Sequence, residues 1–316
     1  MIRYHNKIDR EVVSVDTAHD ASWISLYPPY EHGELEAFAE THKIPLDFLT
    51  DSIDIDERSR YEKEDDATLI LVNTPLLNED AKENESLYYT APIGIILIAD
   101  KIITITPREN PILEKFAENR VKNFNPSDAK LFILQIFEQN VIRFLDCIKK
   151  LNLKRNLIEE ELYNSSRNKE LQQLLRIEKS LVYFVNSLSA NELLKLKMKR
   201  IDVLNIKELE YHSDLFEDVI IDNGQALEMS NVHTNILSGT MEAYASIVSN
   251  NMTLFINRLT IITIVLMVPT LVASFFGMNV KLPFSSDSTY AFYVIMGVSV
   301  AFVVGLIIFF RSNKQI

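Results

Sequence analysis

Two apolar runs without a single Asp, Glu, Lys, Arg or His close the chain, at residues 259–276 and 290–310. Each is near the ~20 residues that an α-helix needs to cross a hydrocarbon core at about 1.5 Å per residue. The pattern predicts a C-terminal hairpin of two transmembrane helices, with an outer loop at 277–289 and a short tail at 311–316. Upstream the patterning changes twice. In residues 1–126 the apolar stretches 12–15, 22–26, 68–72, 93–98 and 101–105 are short and β-branched, which predicts strands. Ala99-Asp100-Lys101 reads as a tight turn between the last two. Residues 33–42 and 46–51 have helical spacing instead. The first 126 residues therefore predict an α/β sandwich.

Proline and glycine mark the second change. Eight of the ten prolines lie at or before Pro126, and residues 127–268 hold no proline and two glycines, Gly224 and Gly239. Such a stretch favours long helices. The first is predicted to start with Ser127 as its cap, to bury Leu131, Leu134, Ile136, Phe137, Val141, Phe144 and Leu145, and to extend toward residue 162. A second covers roughly 168–187. A third begins near Ile206 with no convincing stop before the membrane. Run continuously from 206 to 276 it would be ~105 Å long, too long for one small domain to cover, so it calls for a bundle or an oligomer. The expected order is an α/β domain at 1–126, a helical segment at 127–205, a stalk at 206–258, and spans at 259–276 and 290–310.

Charge sharpens this division. Of 32 Lys+Arg and 44 Asp+Glu in the 316 residues, only Arg258, Lys281, Arg311, Lys314 and Asp287 lie beyond residue 250, leaving 28 basic against 43 acidic groups in residues 1–250. So acidic a soluble part argues against a nucleic-acid partner, because phosphate backbones are bound by Lys and Arg. It suits divalent cations, or is simply a solvated face. Cys147 is the only cysteine, which rules out a disulfide within the chain; its helical context marks a packing residue. The start, Met1-Ile2-Arg3-Tyr4-His5, lacks the apolar core of a signal peptide. Arg258 before the first span and Arg311 and Lys314 after the second put both flanks on the cytoplasmic side by the positive-inside rule. The expectation is a plasma-membrane (cell inner membrane), multi-pass protein with both termini in the cytoplasm.

The first span carries a stripe. Thr253, Thr260, Thr263, Met267, Thr270, Ser274 and Gly277 are spaced 7, 3, 4, 3, 4 and 3, which keeps them on one side of a helix. Such hydroxyls face another helix, with their protons bonded to their own i−4 carbonyls, or face water. No ionisable group lies in either span, which disfavours a proton relay. At the end of the stripe Gly277 permits a turn with positive φ, and Asn279 offers an amide oxygen. Copies of Asn279 around an axis would present neutral acceptors to the water shell of Mg²⁺, which dehydrates reluctantly.

The run Pro269-Thr270-Leu271-Val272-Ala273-Ser274-Phe275-Phe276-Gly277-Met278-Asn279, followed by a short loop, one more span and the C-terminus, resembles the CorA magnesium transporter family. The acidic stretch 56–66 is also similar to that family's cytosolic domain. The resemblance implies a homopentameric funnel in the bilayer that passes Mg²⁺ inward and is gated by cytosolic Mg²⁺. Gly277, Met278 and Asn279 would form the selectivity loop. Thr253, Ile256, Leu259, Thr263, Met267, Thr270 and Ser274 would line the pore, with Leu259 and Met267 as constrictions. Asp66, with Asp65 beside it, and Asp218 of the adjacent stalk would hold a regulatory divalent ion, although without the resemblance Asp66 and Asp218 read as ordinary solvated acids. Three features depart from the family's common pattern: Lys281 after the signature, Thr253 and Ile256 at the inner mouth, and a thin basic tail of Arg311 and Lys314. A transporter of the same fold for Co²⁺, Ni²⁺ or Zn²⁺ is the near alternative. A membrane-anchored sensor or enzyme is a remote one, since no nucleophile triad, His-x-x-x-His pair or phosphate-binding loop is present, and no cofactor is expected.

Overall fold

The computed structural model describes residues 1–8, 11–31, 33–99, 101–164, 168–204, 210–278 and 289–312. They form two units, Met1–Gly239 and Thr240–Ile316. The first is built on a sheet of seven strands: β1 (Ile2–Ile8), β2 (Glu11–Val15), β3 (Trp23–Leu26), β4 (Arg60–Glu64), β5 (Ala67–Leu77), β6 (Tyr88–Ile98) and β7 (Lys101–Ile105). Their spatial order is β2-β1-β3-β7-β6-β5-β4. Every neighbouring pair is antiparallel except β3 with β7.

Helices cover both faces, which is why the central strands read as continuous apolar runs. The pleat sends alternate side chains to opposite cores. Ile24, Leu26, Leu69, Leu71, Ile96, Ile103 and Ile105 join Leu35 and Phe38 of α1 (Glu34–His42) and Phe48 and Leu49 of α2 (Leu46–Ile53). Trp23, Ile70, Val72, Ile93, Ile95 and Ile102 join a larger core on the other face. It is made with α3 (Pro111–Ala117), α4 (Ala129–Asn164), α5 (Asn168–Ile201) and, through Phe216 and Val219, the start of α6 (Glu210–Phe276). The sheet, α4, α5 and the first part of α6 thus share one compact unit. Residues 205–209, with the expected start at Ile206, lie outside the described residues.

Several elements differ from the sequence reading. β5 and β6 each extend to 11 residues and pass through Pro75 and Pro92. The β4 ladder ends at Leu71 and the β7 ladder at Gly94, so each proline sits where a neighbouring strand has stopped and its missing N–H breaks no ladder bond. β1 and β4 were not foreseen, being polar strands without a β-branched run. The charged sequence of β4 suits an edge, and Arg60 ties it to Asp51 at 2.5 Å, Glu57 at 2.5 Å and Glu62 at 3.1 Å. The cap of α4 is Asp128, not Ser127: the Asp128 carboxylate accepts from Leu131 N at 3.0 Å and its carbonyl accepts the first helical bond, from Phe132 N. Ser127 instead lies 3.1 Å from the Ser22 hydroxyl. α5 continues to Ile201, well beyond residue 187. The turn from β6 to β7 places Ala99 at φ 46°; Asp100 lies outside the described residues.

Past the end of β4, the outer edge of β5 is closed by side chains. Asn191 of α5 accepts from Asn73 N at 3.0 Å and donates to Asn73 O at 2.8 Å. Asn140 of α4 donates to the same carbonyl at 3.0 Å, and Arg143 donates to Pro75 O at 2.7 Å. These bonds satisfy backbone groups that burial would otherwise strand.

Gly94 of β6 allows α2 to lie close. A Cβ there would sit 2.0 Å from Ser52 Oγ and 2.9 Å from Ile105 Cγ2. Gly94→Ala is expected to destabilise the protein by about 1–3 kcal/mol through overpacking. Gly239→Ala, with nothing within 4 Å of the new methyl, is expected to stabilise α6 by about 0.5–1 kcal/mol. Thermal unfolding of the detergent-solubilised protein checks both, and equal shifts of the same sign would refute them.

Candidate functional site

α6 and α7 (Thr289–Ser312) are the two helices long and apolar enough to cross a membrane among the described residues. In the second unit almost every large apolar side chain is uncovered; Met267 is 64% and Leu266 66% exposed. That much apolar surface has to be met by lipid or by another chain.

Of the stripe read from spacing, Thr253, Thr260, Thr263, Met267, Thr270, Ser274 and Gly277 are all exposed in the single chain; so are Ile256 and Leu259, which the family resemblance adds to that side. Ile261, Ile264, Val265, Val268 and Val272 are more covered, and their spacing places them on the other side of the helix. The threonine hydroxyls donate to their own helix: Thr253 to Ser249 O at 3.0 Å, Thr260 to Ile256 O at 2.9 Å, Thr263 to Leu259 O at 2.8 Å and Thr270 to Leu266 O at 3.1 Å. Back-bonding satisfies each donor and leaves the oxygen lone pairs facing outward. Pro269 lies within the helix and deprives the Val265 carbonyl of its i+4 donor.

α6 stops at the signature. Gly277 N bonds to Ala273 O at 2.9 Å and Met278 N to Phe275 O at 3.4 Å. The expected positive φ at Gly277 is not found: among described glycines Gly33 alone adopts one. What Gly277 supplies is space, since a Cβ would lie 3.2 Å from Ala273 O. Asn279 lies outside the described residues, as do Lys281 and Lys314.

In the first unit Asp65 and Asp66 form the two-residue turn between β4 and β5, where Glu64 pairs with Ala67. Asp65 holds φ 48°. Both are exposed, as is Asp218 on α6, between the buried Phe216 and Val219. Among the described residues no three His, Cys, Asp or Glu side chains gather to hold a metal ion.

Two features of this unit escaped sequence reasoning. A cleft of about 1190 Å³ opens between the 55–59 loop, the β5–β6 end and α5, lined in part by Asp56, Arg58, Asn73, Tyr89 and Tyr183; no motif marks it. Lys195 is wholly buried between α5 and α6. Its signal was available: Leu188, Asn191, Leu194, Lys195 and Met198 occupy one helical face, and Lys195 takes a slot in it.

The chain matches the model of the "CorA-like Mg2+ transporter protein" family over residues 18–312. It belongs to the CorA family. The "Cobalt/magnesium transport protein CorA" of Methanocaldococcus jannaschii is 25% identical over 299 residues, covering 93% of this chain and 91% of that one. The complete structure of the CorA magnesium transporter from that organism superposes with a TM-score of 0.83 at 21% identity, covering 100% of this chain and 99% of the other. The full-length CmaX protein gives a TM-score of 0.71 at 16% identity, covering 98% and 97%. The CorA architecture of soluble α/β domain, long helix and C-terminal helix is therefore the architecture of this chain, as its sequence led us to expect.

Asp65 has a backbone duty as well as a charge. Asp65→Gly relieves the positive φ and is expected to leave the melting temperature in chelator unchanged or slightly raised, while Asp65→Val is expected to cost about 1–2 kcal/mol. A glycine variant that unfolds as readily as the valine one would show that the carboxylate, not the turn, holds this hairpin.

Proposed function

We propose that this protein carries Mg²⁺ into the cell through a water-filled passage on the axis of a homopentamer in the plasma membrane. The observation that carries the reading is the stripe on α6: hydroxyls and small groups on an uncharged apolar helix, uncovered by the rest of the chain and leading to Gly277-Met278-Asn279. Membership of the CorA family supports it. The names of the relatives, cobalt/magnesium transport proteins, support divalent cations as the cargo.

Each part of the mechanism has a physical role. The membrane potential acts on a divalent ion with ~4.6 kcal/mol per 100 mV, twice the value for a single charge. A ring of Asn279 amides would accept hydrogen bonds from the ion's water shell without stripping it. Thr263, Thr270 and Ser274 would continue that contact along the passage, between the apolar constrictions at Met267 and Leu259, with Thr253 and Ile256 at the inner mouth. Neighbouring copies are also called for along the cytosolic part of α6, where Ile221 is 59% exposed beside the buried Val219 and Asn223. Arg258 and Arg311 flank the spans on the side we assign to the cytoplasm, together with both termini.

For regulation we propose that Mg²⁺ bridges Asp66, aided by Asp65, to Asp218 of an adjacent copy. Carboxylates facing each other across such a junction repel, and the ion joins them. As cytosolic Mg²⁺ falls, the bridge is lost, the ring loosens and the passage opens. The shared fold also admits Co²⁺, whose name stands beside magnesium in the M. jannaschii relative.

Expression in cells lacking their Mg²⁺ transporters is expected to restore growth at low Mg²⁺, while Asn279→Ala lowers uptake by tenfold or more. Equal rescue by the variant would defeat the channel assignment, as would a monomer in mild detergent. Asp66→Asn combined with Asp218→Asn is expected to keep transport but blunt inhibition by internal Mg²⁺. An unchanged inhibition curve in reconstituted vesicles would remove the regulatory site and leave the pore intact.

A further inference from the structure

Lys195 of α5 is 0% exposed, and three helices meet at its amine. Nζ donates to Asn223 Oδ1 of α6 at 2.6 Å. Asn223 Nδ2 donates back to Leu188 O of α5 at 3.0 Å. Nζ also lies 5.5 Å from the centre of the Phe137 ring of α4. A lysine ammonium has three protons to place. Among the described residues Asn223 Oδ1 is the one hydrogen-bond acceptor it reaches, and no carboxylate forms an ion pair with it. The charged form is thus under-solvated at this junction, with one amide oxygen and the weak attraction of the Phe137 ring face to replace its water shell, whereas the neutral amine is served by the amide oxygen alone.

We propose that Lys195 is a proton-operated latch that sets how firmly α6 is seated on α5 and α4, the neutral amine closing the junction and the ammonium loosening it. Burial pulls its pKa down to about 7, partly opposed by the Glu192 carboxylate one turn earlier. Gly224 of α6 faces that carboxylate: a Cβ there would lie 3.4 Å from Glu192 Oε1, an ordinary contact.

The other charges around the junction have their own partners or lie apart. On α6, Glu217 pairs with Lys199 of α5. Asp222 of α6 acts on Glu138 of α4, whose carboxyl is pushed up chiefly by burial. On α5, Lys197 donates to Tyr61 O. On β4, Arg60 is held by Asp51, Glu57 and Glu62, and Lys63 and Glu64 are exposed. β5 and β6 carry no acidic or basic side chain, only Tyr88 and Tyr89, both pushed upward by burial. His212 and His233 of α6 lie about 15 Å along the helix from Asn223. Lys195 is therefore the wholly buried titrating group of the junction, beside the Glu138 carboxyl that burial pushes up.

The sign follows from linkage. In an opened junction the amine regains its ordinary pKa near ~10.4; closed, it holds about 7. Between these values opening takes up a proton. Rising pH therefore favours the closed junction by up to about tenfold per pH unit, and below 7 the dependence vanishes. The latch needs no transport to be observed, so its test is separate from that of the proposed function.

Hydrogen exchange of the full chain in detergent, without divalent ions and corrected for intrinsic rates, is expected to show protection of residues 188–195 and 216–226 rising at least tenfold from pH 7 to 9. Lys195→Met is expected to be protected at every pH, with a flat profile. Glu192→Gln, which removes the one carboxylate holding the amine protonated, is expected to move the midpoint to lower pH. A wild-type rise that persists in Lys195→Met overturns the latch. Should that variant fail to fold, an unmoved midpoint in Glu192→Gln overturns it equally.

Discussion

The arrangement of the first unit depends on closing one open sheet edge. β5 runs on after its partner β4 has stopped, and apart from the Asn73 N–H, which also reaches Ser59 Oγ at 3.1 Å, the backbone of Asn73 and Pro75 would be left without partners inside the protein. Asn140 and Arg143 of α4 and Asn191 of α5 supply them. Since an unmet buried amide or carbonyl costs on the order of 1–3 kcal/mol, these bonds fix where both helices lie on the sheet. α6 enters the core laid down by those helices, through Phe216 and Val219. A short β4 is thus a condition for the helix pairing that receives the stalk.

The sheet was legible where burial on both faces leaves little freedom. Residues 68–72, 93–98 and 101–105 had to be apolar whichever core they faced, and their length excluded helices. The elements that were missed are the ones whose sequence answers to something else. β1 carries Arg3, His5 and Lys7 among its apolar residues, and its His5 is buried only because it stacks on Trp23 at 4.3 Å and meets Ser25 Oγ at 2.9 Å. β4 is charged because it is an edge. β5 and β6 run past the apolar stretches 68–72 and 93–98 through Pro75 and Pro92, since only the three-dimensional ladder shows that a neighbour has already finished. At the start of α4, Ser127 and Asp128 are both good caps, and only geometry decides between them.

For the candidate site, periodicity was the informative signal. The hydroxyl stripe of α6 follows from spacing alone, and the structure leaves that side of the helix uncovered. Asp65, Asp66 and Asp218 came from likeness to a family, not from a pattern of their own, and one chain brings them into no metal centre. Lys195 was visible as a charge in an apolar slot, yet a lone lysine in a helix is so often solvated that only the helix packing reveals it.

The back-bonded threonines of α6 have a chemical consequence. A free hydroxyl is ambivalent, able to point its proton at an anion or its oxygen at a cation. Once that proton is committed to the carbonyl four residues earlier, the group becomes one-sided, and what it shows to its surroundings is electron density. A conduit walled by such oxygens would discriminate by sign of charge without bearing any: it would welcome the outward-pointing protons of a metal's hydration water and offer chloride or phosphate nothing to hold. A neutral wall of this kind also avoids the deep electrostatic well of a carboxylate ring, in which a doubly charged ion would linger.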